Sequence, residues 1–186
     1  FEIPSHWAKI IGMDFGWDHP TAASLCAWDR DDDCFYVTST YKQSREVIAI
    51  HAAAIKAWGS YPVSWPHDGY KHDQTSGDQI AMLYRNHGLR MLPEHATNTT
   101  GGIGTEAPVQ EMLEAMLTGK FKIFSHNKIL LDELGQYHRK SGKIVKLYDD
   151  VISSVRYAWM MRRFCRVESK KIMPQNTGLD YNPLYH

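Results

Sequence analysis

An apolar run that stops on a bare carboxylate constrains this chain more than any other feature. In "IIGMDFGWDHPTA" the stretch 10–13 is apolar and runs straight into Asp14-Phe15-Gly16. Such a run reads as a strand of a buried sheet, and a carboxylate at its mouth is costly unless it is paired or bound to a cation. Asp14 is therefore a turn residue or a functional one, and the order of the remaining elements decides which.

After that first strand, "TAASLCAWD" (21–29) and "CFYVTSTYK" (34–42) are rich in strand formers, and the acidic "DRDDD" between them reads as a hairpin turn. "SREVIAIHAAAIKAWG" predicts a helix with Ser44 as N-cap and Gly59 as its stop. Val63-Ser64-Trp65 is a short strand leading into "PHDG". "DQIAMLYRNHG" is a second helix and "LRMLP" a strand closed by Pro93. The glycine-rich stretch 95–106 reads as a mobile loop. Then come a helix with Pro108 in its first turn, the strand "KFKIF", the helix "NKILLDELGQYHR", and one long final helix, "LYDDVISSVRYAWMMRRFCRV". A strand meander followed by alternating helices and strands predicts an α/β fold with a mixed central sheet, in the order of the ribonuclease H-like fold. The domain spans 1–167, and 168–186 lacks periodicity and reads as a flexible tail.

With 186 residues, the chain is long enough to bury a core without covalent staples. No apolar run is long enough to cross a bilayer. The opening "FEIPSHWAKI" has neither a basic nor an apolar signal region and does not begin with Met, which reads as a piece of a longer chain. Cys26, Cys34 and Cys165 form no CxxC pair and read as reduced thiols. Basic and acidic side chains balance at 21 each, which argues against a general nucleic-acid cloak. The charge is nevertheless uneven, with basic runs at 138–146 and 162–171.

Acids at two further points of the chain bear on the role of Asp14. Asp68 follows the fourth strand at another apolar-to-glycine junction, and Asp149-Asp150 open the last helix. In the predicted topology all three points converge at one sheet edge. Crowded carboxylates repel unless a cation or shared protons hold them. Oxygen ligands of this kind suit Mg²⁺ or Mn²⁺, and two such ions can activate a water and stabilise the leaving oxygen of a phosphodiester. Taken singly, each acid has a plainer reading: a turn acid at Asp14, a β-turn at Asp68, an N-cap at Asp149. The basic run Arg139, Lys140, Lys143 and Lys146 lies just before Asp149, where it reads as a loop or hairpin able to grip a phosphate backbone, or as a solvated face. His67, His72, His87 and His95 show no zinc-ligand spacing, and no G-x-S-x-G occurs, so a zinc site and a serine hydrolase are disfavoured. Glu133 in "LLDELGQYH" is either an acid that orients the basic loop or a solvated helix acid.

In combination, "GMDFGWDHPTA", "PHDG", "MLTGKFKIFSHNKILLDELGQYH" and "YDDVISSVRYA" resemble the C-terminal nuclease domain of tailed-phage terminase large subunits, most nearly the podovirus headful-packaging type. The resemblance covers about residues 8–165. It implies a metal-dependent endonuclease that cuts double-stranded viral DNA concatemers during genome packaging, with little sequence preference. Asp14, Asp68 and one or both of Asp149 and Asp150 would be its metal ligands, holding two Mg²⁺ or Mn²⁺ ions. Two positions depart from the family pattern. Asp150 stands where His is common, and Ser153 where Asp is common, which leaves open which member of the Asp149-Asp150 pair holds metal. The resemblance further implies an N-terminal ATPase domain in the same polypeptide, portal protein and terminase small subunit as partners, no membrane, and the cytoplasm of an infected bacterial host. The stretch contains no G-x-x-x-x-G-K-[ST], so it should cut without hydrolysing ATP. The alternatives are a non-catalytic docking module of the same fold for portal or DNA, and a resolvase or integrase-like nuclease.

Overall fold

The computed structural model describes residues 1–73, 77–145 and 147–168. The expected flexible tail falls outside these residues, apart from Glu168. Three strands open the chain: β1 (Ala8–Asp14), β2 (Thr21–Asp29) and β3 (Cys34–Gln43). They pair antiparallel as a meander, with Gly12 opposite Ser24 and Asp14 opposite Ala22. The short strands β4 (Pro62–Ser64) and β5 (Arg90–Met91) add in parallel beyond β1, and β6 (Phe121–Ile123) adds in parallel beyond β3. The sheet order is therefore β5-β4-β1-β2-β3-β6, the mixed sheet the sequence predicts. A separate two-stranded hairpin, β7 (Arg139–Lys140) and β8 (Lys143–Ile144), stands outside it.

The helices are α1 (Ile48–Lys56), α2 (Ile80–Asn86), α3 (Glu106–Leu117), α4 (Lys128–Gln136) and α5 (Asp150–Met160). α5 lies across β1 and β2 with almost no gap. A Cβ on Gly12 would overlap the carbonyl oxygen of Ser154, while the Ser24 and Ser154 hydroxyls hydrogen-bond each other. On the next strand, Ser64 Oγ donates to the Tyr157 carbonyl at 2.8 Å. Side chains alternate along a strand, so Ile11 and Met13 face away from α5, yet both are fully buried. Both faces of β1 are thus covered, which is why its sequence is a continuous apolar run. Trp65, Phe35, Ile10, Ile11 and Met13 are among the largest wholly buried side chains, each stabilising the fold by about 1.5–3 kcal/mol relative to exposure.

Three local expectations are corrected. Ser44 does not cap α1; the helix starts at Ile48, with Val47 at the N-cap position. Arg45 adopts a left-handed φ of 58°, and its N–H donates to the Trp17 carbonyl at 3.1 Å, which ties this segment to the loop after β1 and delays the helix. The fourth strand ends one residue earlier than predicted, and Trp65 turns into the core with its indole N–H on the Leu92 carbonyl. The final helix is shorter than predicted at both ends. Tyr148, with a φ of 56°, cannot be helical. At the other end Arg162 and Arg163 bond the carbonyls of Trp159 and Met160, and a 3-10 turn, Arg162–Phe164, leads to Arg166, which pairs with Lys9. All three cysteines are buried and are free thiols. Among the described residues no helix is long and apolar enough to cross a membrane.

Candidate active site

Asp14 sits at the end of β1 on the α5 side of the sheet, because it alternates with Gly12 along the strand. The chain then turns sharply. A Cβ on Gly16 would overlap the His19 carbonyl oxygen, and the Thr21 hydroxyl both donates to the Gly16 carbonyl (2.9 Å) and accepts from its N–H (3.2 Å). Phe15 goes to the opposite face and stacks on Tyr84 of α2, with centroids 5.2 Å apart. The sharp turn and its anchored Phe15 hold the carboxylate at the strand mouth.

Asp68 reaches the same edge because β4 runs parallel to β1, so both strands end there. It lies in a single 3-10 turn, His67–Tyr70, rather than in a β-turn. Gly69 fixes that turn, since a Cβ there would strike the Trp65 and Phe15 rings. Asp68 and Lys71 form an exposed ion pair at 2.7 Å. A cavity of about 260 Å³ lies between the two elements, lined by Asp14, His67, Asp68, Arg156 and Tyr157 among others.

Asp149 occupies the N-cap position of α5, but its side chain makes no capping bond, which overturns the N-cap reading. Glu133 of α4 does the capping instead. Its Oε2 accepts the backbone N–H of Val151 (2.9 Å) and of Ile152 (3.0 Å). Its Oε1 lies 2.7 Å from Lys42 Nζ, and the same ammonium is 2.8 Å from Asp150 Oδ2. Burial pushes the Glu133 carboxyl above its ordinary range even against the pull of Lys42. Burial pulls the Lys42 ammonium down, but its hydrogen bonds to Asp150 and Glu133 outweigh this and leave it raised.

The acids feel one another. Asp14 keeps part of its surface open to the cavity, yet its surroundings desolvate it enough to push its carboxyl up to about 7. The Arg156 guanidinium opposes that rise, while Asp150, Asp149 and Asp68 add to it, in that order. Three chain segments thus bring four carboxylates into one field. The donors are hard oxygens with no thiolate among them, which suits Mg²⁺ or Mn²⁺ chemically. They are not pre-assembled, however: among the described residues no three His, Cys, Asp or Glu side chains stand at metal-binding spacing. Asp68 and Asp150 lean on lysines instead.

The basic run is divided. Arg139 and Lys140 form β7, and Lys143 begins β8, so a hairpin stands where the sequence allowed a hairpin or a loop. Arg139 is paired with Glu106 at 2.6 Å, and Lys140 is exposed. Lys146 lies outside the described residues. Of the histidines flanking Asp68, His67 lines the cavity, and the His72 ring bonds the Gly77 carbonyl.

Two residues at the site are absent from the sequence reading. Arg156 is 5% exposed, its guanidinium 4.4 Å from the Tyr157 ring centroid and 3.5 Å from the Ser153 hydroxyl. Lys42 is the other, concealed at the end of a strand whose pattern gives no cue to a partner.

Residues 11–162 match the terminase RNaseH-like domain family. The chain is 42% identical over 169 residues to the terminase large subunit of Salmonella phage P22, covering 90% of this chain and 34% of that protein. The large subunit of Enterobacteria phage LP7 is also 42% identical, over 164 residues, covering 87% of this chain and 34% of that one. The chain therefore spans about a third of the length of these relatives. The solved P22 large terminase nuclease domain superposes with a TM-score of 0.83, covering 90% of this chain and 87% of that one. The phage G20c large terminase nuclease with bound cobalt shares the fold at 21% identity, with a TM-score of 0.57 over 84% and 82% of the two chains. The family match and the likeness to the P22 protein agree in sequence and in fold, and the chain belongs to the terminase RNaseH-like domain family.

Proposed function

We propose that this domain is a divalent-metal-dependent endonuclease that cuts double-stranded DNA concatemers with little sequence preference during viral genome packaging. The observation that carries the reading is the buried, disfavoured ionisation of Asp14 in the field of Asp68, Asp149 and Asp150. Like charges of this kind are tolerable when a cation neutralises them, and a phosphodiester hydrolase needs such a cation where charge develops. Asp14, Asp68 and one or both of Asp149 and Asp150 would hold one or two Mg²⁺ or Mn²⁺ ions. DNA phosphate oxygens would complete the coordination, since Mg²⁺ is commonly held by a few carboxylates together with substrate phosphates. When bound, the metal supplies Lewis-acid stabilisation and an activated water. Arg156, buried beside the cavity, tempers the carboxylate field. Asp14 ends β1, Asp68 lies in the 3-10 turn that follows the neighbouring β4, and the basic hairpin would grip backbone phosphate.

The related G20c nuclease with bound cobalt, and an SPP1 large terminase nuclease domain with bound Mn, support divalent-metal use. The greater length of the relatives supports a larger polypeptide, in which an ATPase domain would precede this one. Portal protein and the terminase small subunit would be its partners, in the cytoplasm of the infected host. The test is plasmid nicking or linearisation in Mn²⁺ or Mg²⁺, with EDTA as control. Asp14→Asn should lose at least about a hundredfold in rate while staying folded, as expected for a lost metal ligand. Cleavage by that variant at the parent rate would overturn the reading.

A further inference from the structure

We propose that Glu133 and Lys42 form a positioning clamp that sets where the acids at the start of α5 meet Asp14. The activity arm of this proposal rests on the nuclease reading above; its binding arm does not.

A helix start leaves its first backbone N–H groups without intrahelical acceptors, and they are normally satisfied by the helix's own N-cap side chain. In α5 that duty has been moved to another helix. One Glu133 oxygen takes both the Val151 and Ile152 N–H groups, and Asp149 at the N-cap position does no capping. The first-turn N–H groups of Val151 and Ile152 are thereby satisfied from α4. The second Glu133 oxygen holds Lys42, and Lys42 holds Asp150. The clamp therefore joins three elements: β3 through Lys42, α4 through Glu133, and α5 through both its backbone and Asp150.

Its burial argues against an incidental surface pair. Glu133 is 5% exposed and the Lys42 side chain 18%. A lone carboxylate at that depth would be strongly destabilising, so the site is built around two N–H donors and a cation. The rest of α5 is anchored on β1 and β2 by the close approach at Gly12 and the Ser24–Ser154 bond. Its first turn takes the acceptor for two backbone N–H groups from a side chain of α4, and that turn carries the acids. Lys42 also governs Asp150 directly. Its ammonium lies 2.8 Å from Asp150 Oδ2, and both side chains are largely buried. When an ion binds, the length of the Lys42 bridge limits how far Asp150 can turn.

Groups that orient metal ligands from outside the coordination sphere typically change metal affinity or activity by about 10- to 100-fold when removed. The test uses the whole chain and two variants. Glu133→Gln keeps the side-chain shape but loses the charge that holds Lys42. Lys42→Met leaves the Glu133 oxygen that caps Val151 and Ile152 in place and removes the cation shared by Glu133 and Asp150, so it serves where the first variant folds poorly. Mn²⁺ binding is measured by the loss of the free-ion paramagnetic resonance signal, and plasmid cleavage is measured in the same buffers. The clamp predicts Mn²⁺ binding weakened by about tenfold in either folded variant. It also predicts kcat lower by about tenfold or more, with KM for DNA within about twofold. A purely structural role would lower thermal stability and leave the ion affinity of the folded fraction at the parent value, and that result overturns the proposal. If the parent binds Mn²⁺ but does not cut, the nuclease reading falls while the binding arm still decides the clamp. If the parent binds no Mn²⁺ at millimolar concentration, the clamp falls as well.

Discussion

The carbonyl oxygen of Ser154 lies where a side chain on Gly12 would have to be. This contact sets the distance between α5 and the strand that ends in Asp14, and the acids of both elements inherit it. Gly12→Ala would have to push α5 outward, because the obstacle is backbone and cannot rotate away. Overpacking of this kind costs about 1–3 kcal/mol and sometimes more. We expect a lower melting temperature, together with cleavage reduced beyond the unfolded fraction. Ser154→Ala would not relieve the contact, since the carbonyl stays, and a double variant that recovers the parent stability would refute this account.

Asp14 should cost the metal-free protein stability. Its folded carboxyl is pushed up to about 7, against 3.8 for an unperturbed group, mainly by burial and then by the neighbouring acids, with Arg156 opposing. The folded state therefore holds the proton more tightly than the unfolded chain. The contribution of this group is favourable below pH 3.8 and is lost as pH rises through about 7. In EDTA at pH 8, Asp14→Asn should be more stable than the parent by on the order of 2–4 kcal/mol, the difference shrinking as pH falls towards 4. Thermal melts of the two proteins across that range check the sign. Equal stability at pH 8 would mean that Asp14 is not desolvated as the structure has it.

The sheet, and Asp14 and Asp68 at its edge, were legible because their signals are local. A continuous apolar run marks β1 as covered on both faces, and an acid next to glycine at its end is anomalous within a few residues. The Ser44 cap failed for the opposite reason: the segment is held by the Trp17 carbonyl, a contact across a loop that propensity cannot register. Glu133 sits between these cases. Leu130 lies three residues before it, and both are buried, so helical spacing did place the glutamate on the inward stripe of α4. Its two N–H donors belong to another helix, and without them the residue looks solvated. Arg156 was hidden by the near-complete burial of α5, where no polar face sets off one buried cation.

The hairpin prediction concerns salt. Each lysine or arginine that neutralises a phosphate steepens the fall of binding with salt by about 0.9 logarithmic unit on duplex DNA. Arg139 already has a partner in Glu106, so we expect it to contribute less than the exposed Lys140. Lys140→Ala with Lys143→Ala should weaken binding to all sequences alike and reduce the salt slope by nearly two units. A slope equal to that of the parent would assign the hairpin to the solvated surface.

Lys71 offers a test of how the metal reaches Asp68. Its ammonium lies 2.7 Å from Asp68 Oδ2, but both side chains are well exposed, so water screens the pair. Exposed pairs of this kind are worth about 0–1 kcal/mol. Lys71→Ala should therefore leave thermal stability nearly unchanged. Its effect should appear in the ion requirement instead. A divalent ion that takes Asp68 as a ligand must first displace the ammonium, and removing that competitor should lower the half-saturating Mn²⁺ concentration by up to about fivefold, the equivalent of about 1 kcal/mol. If Lys71 instead grips DNA phosphate, the ion requirement will stay fixed while the KM for DNA rises and its salt dependence weakens. Titrating Mn²⁺ at saturating DNA, and DNA at saturating Mn²⁺, separates the two, and a change only in the second would refute the displacement account of Asp68.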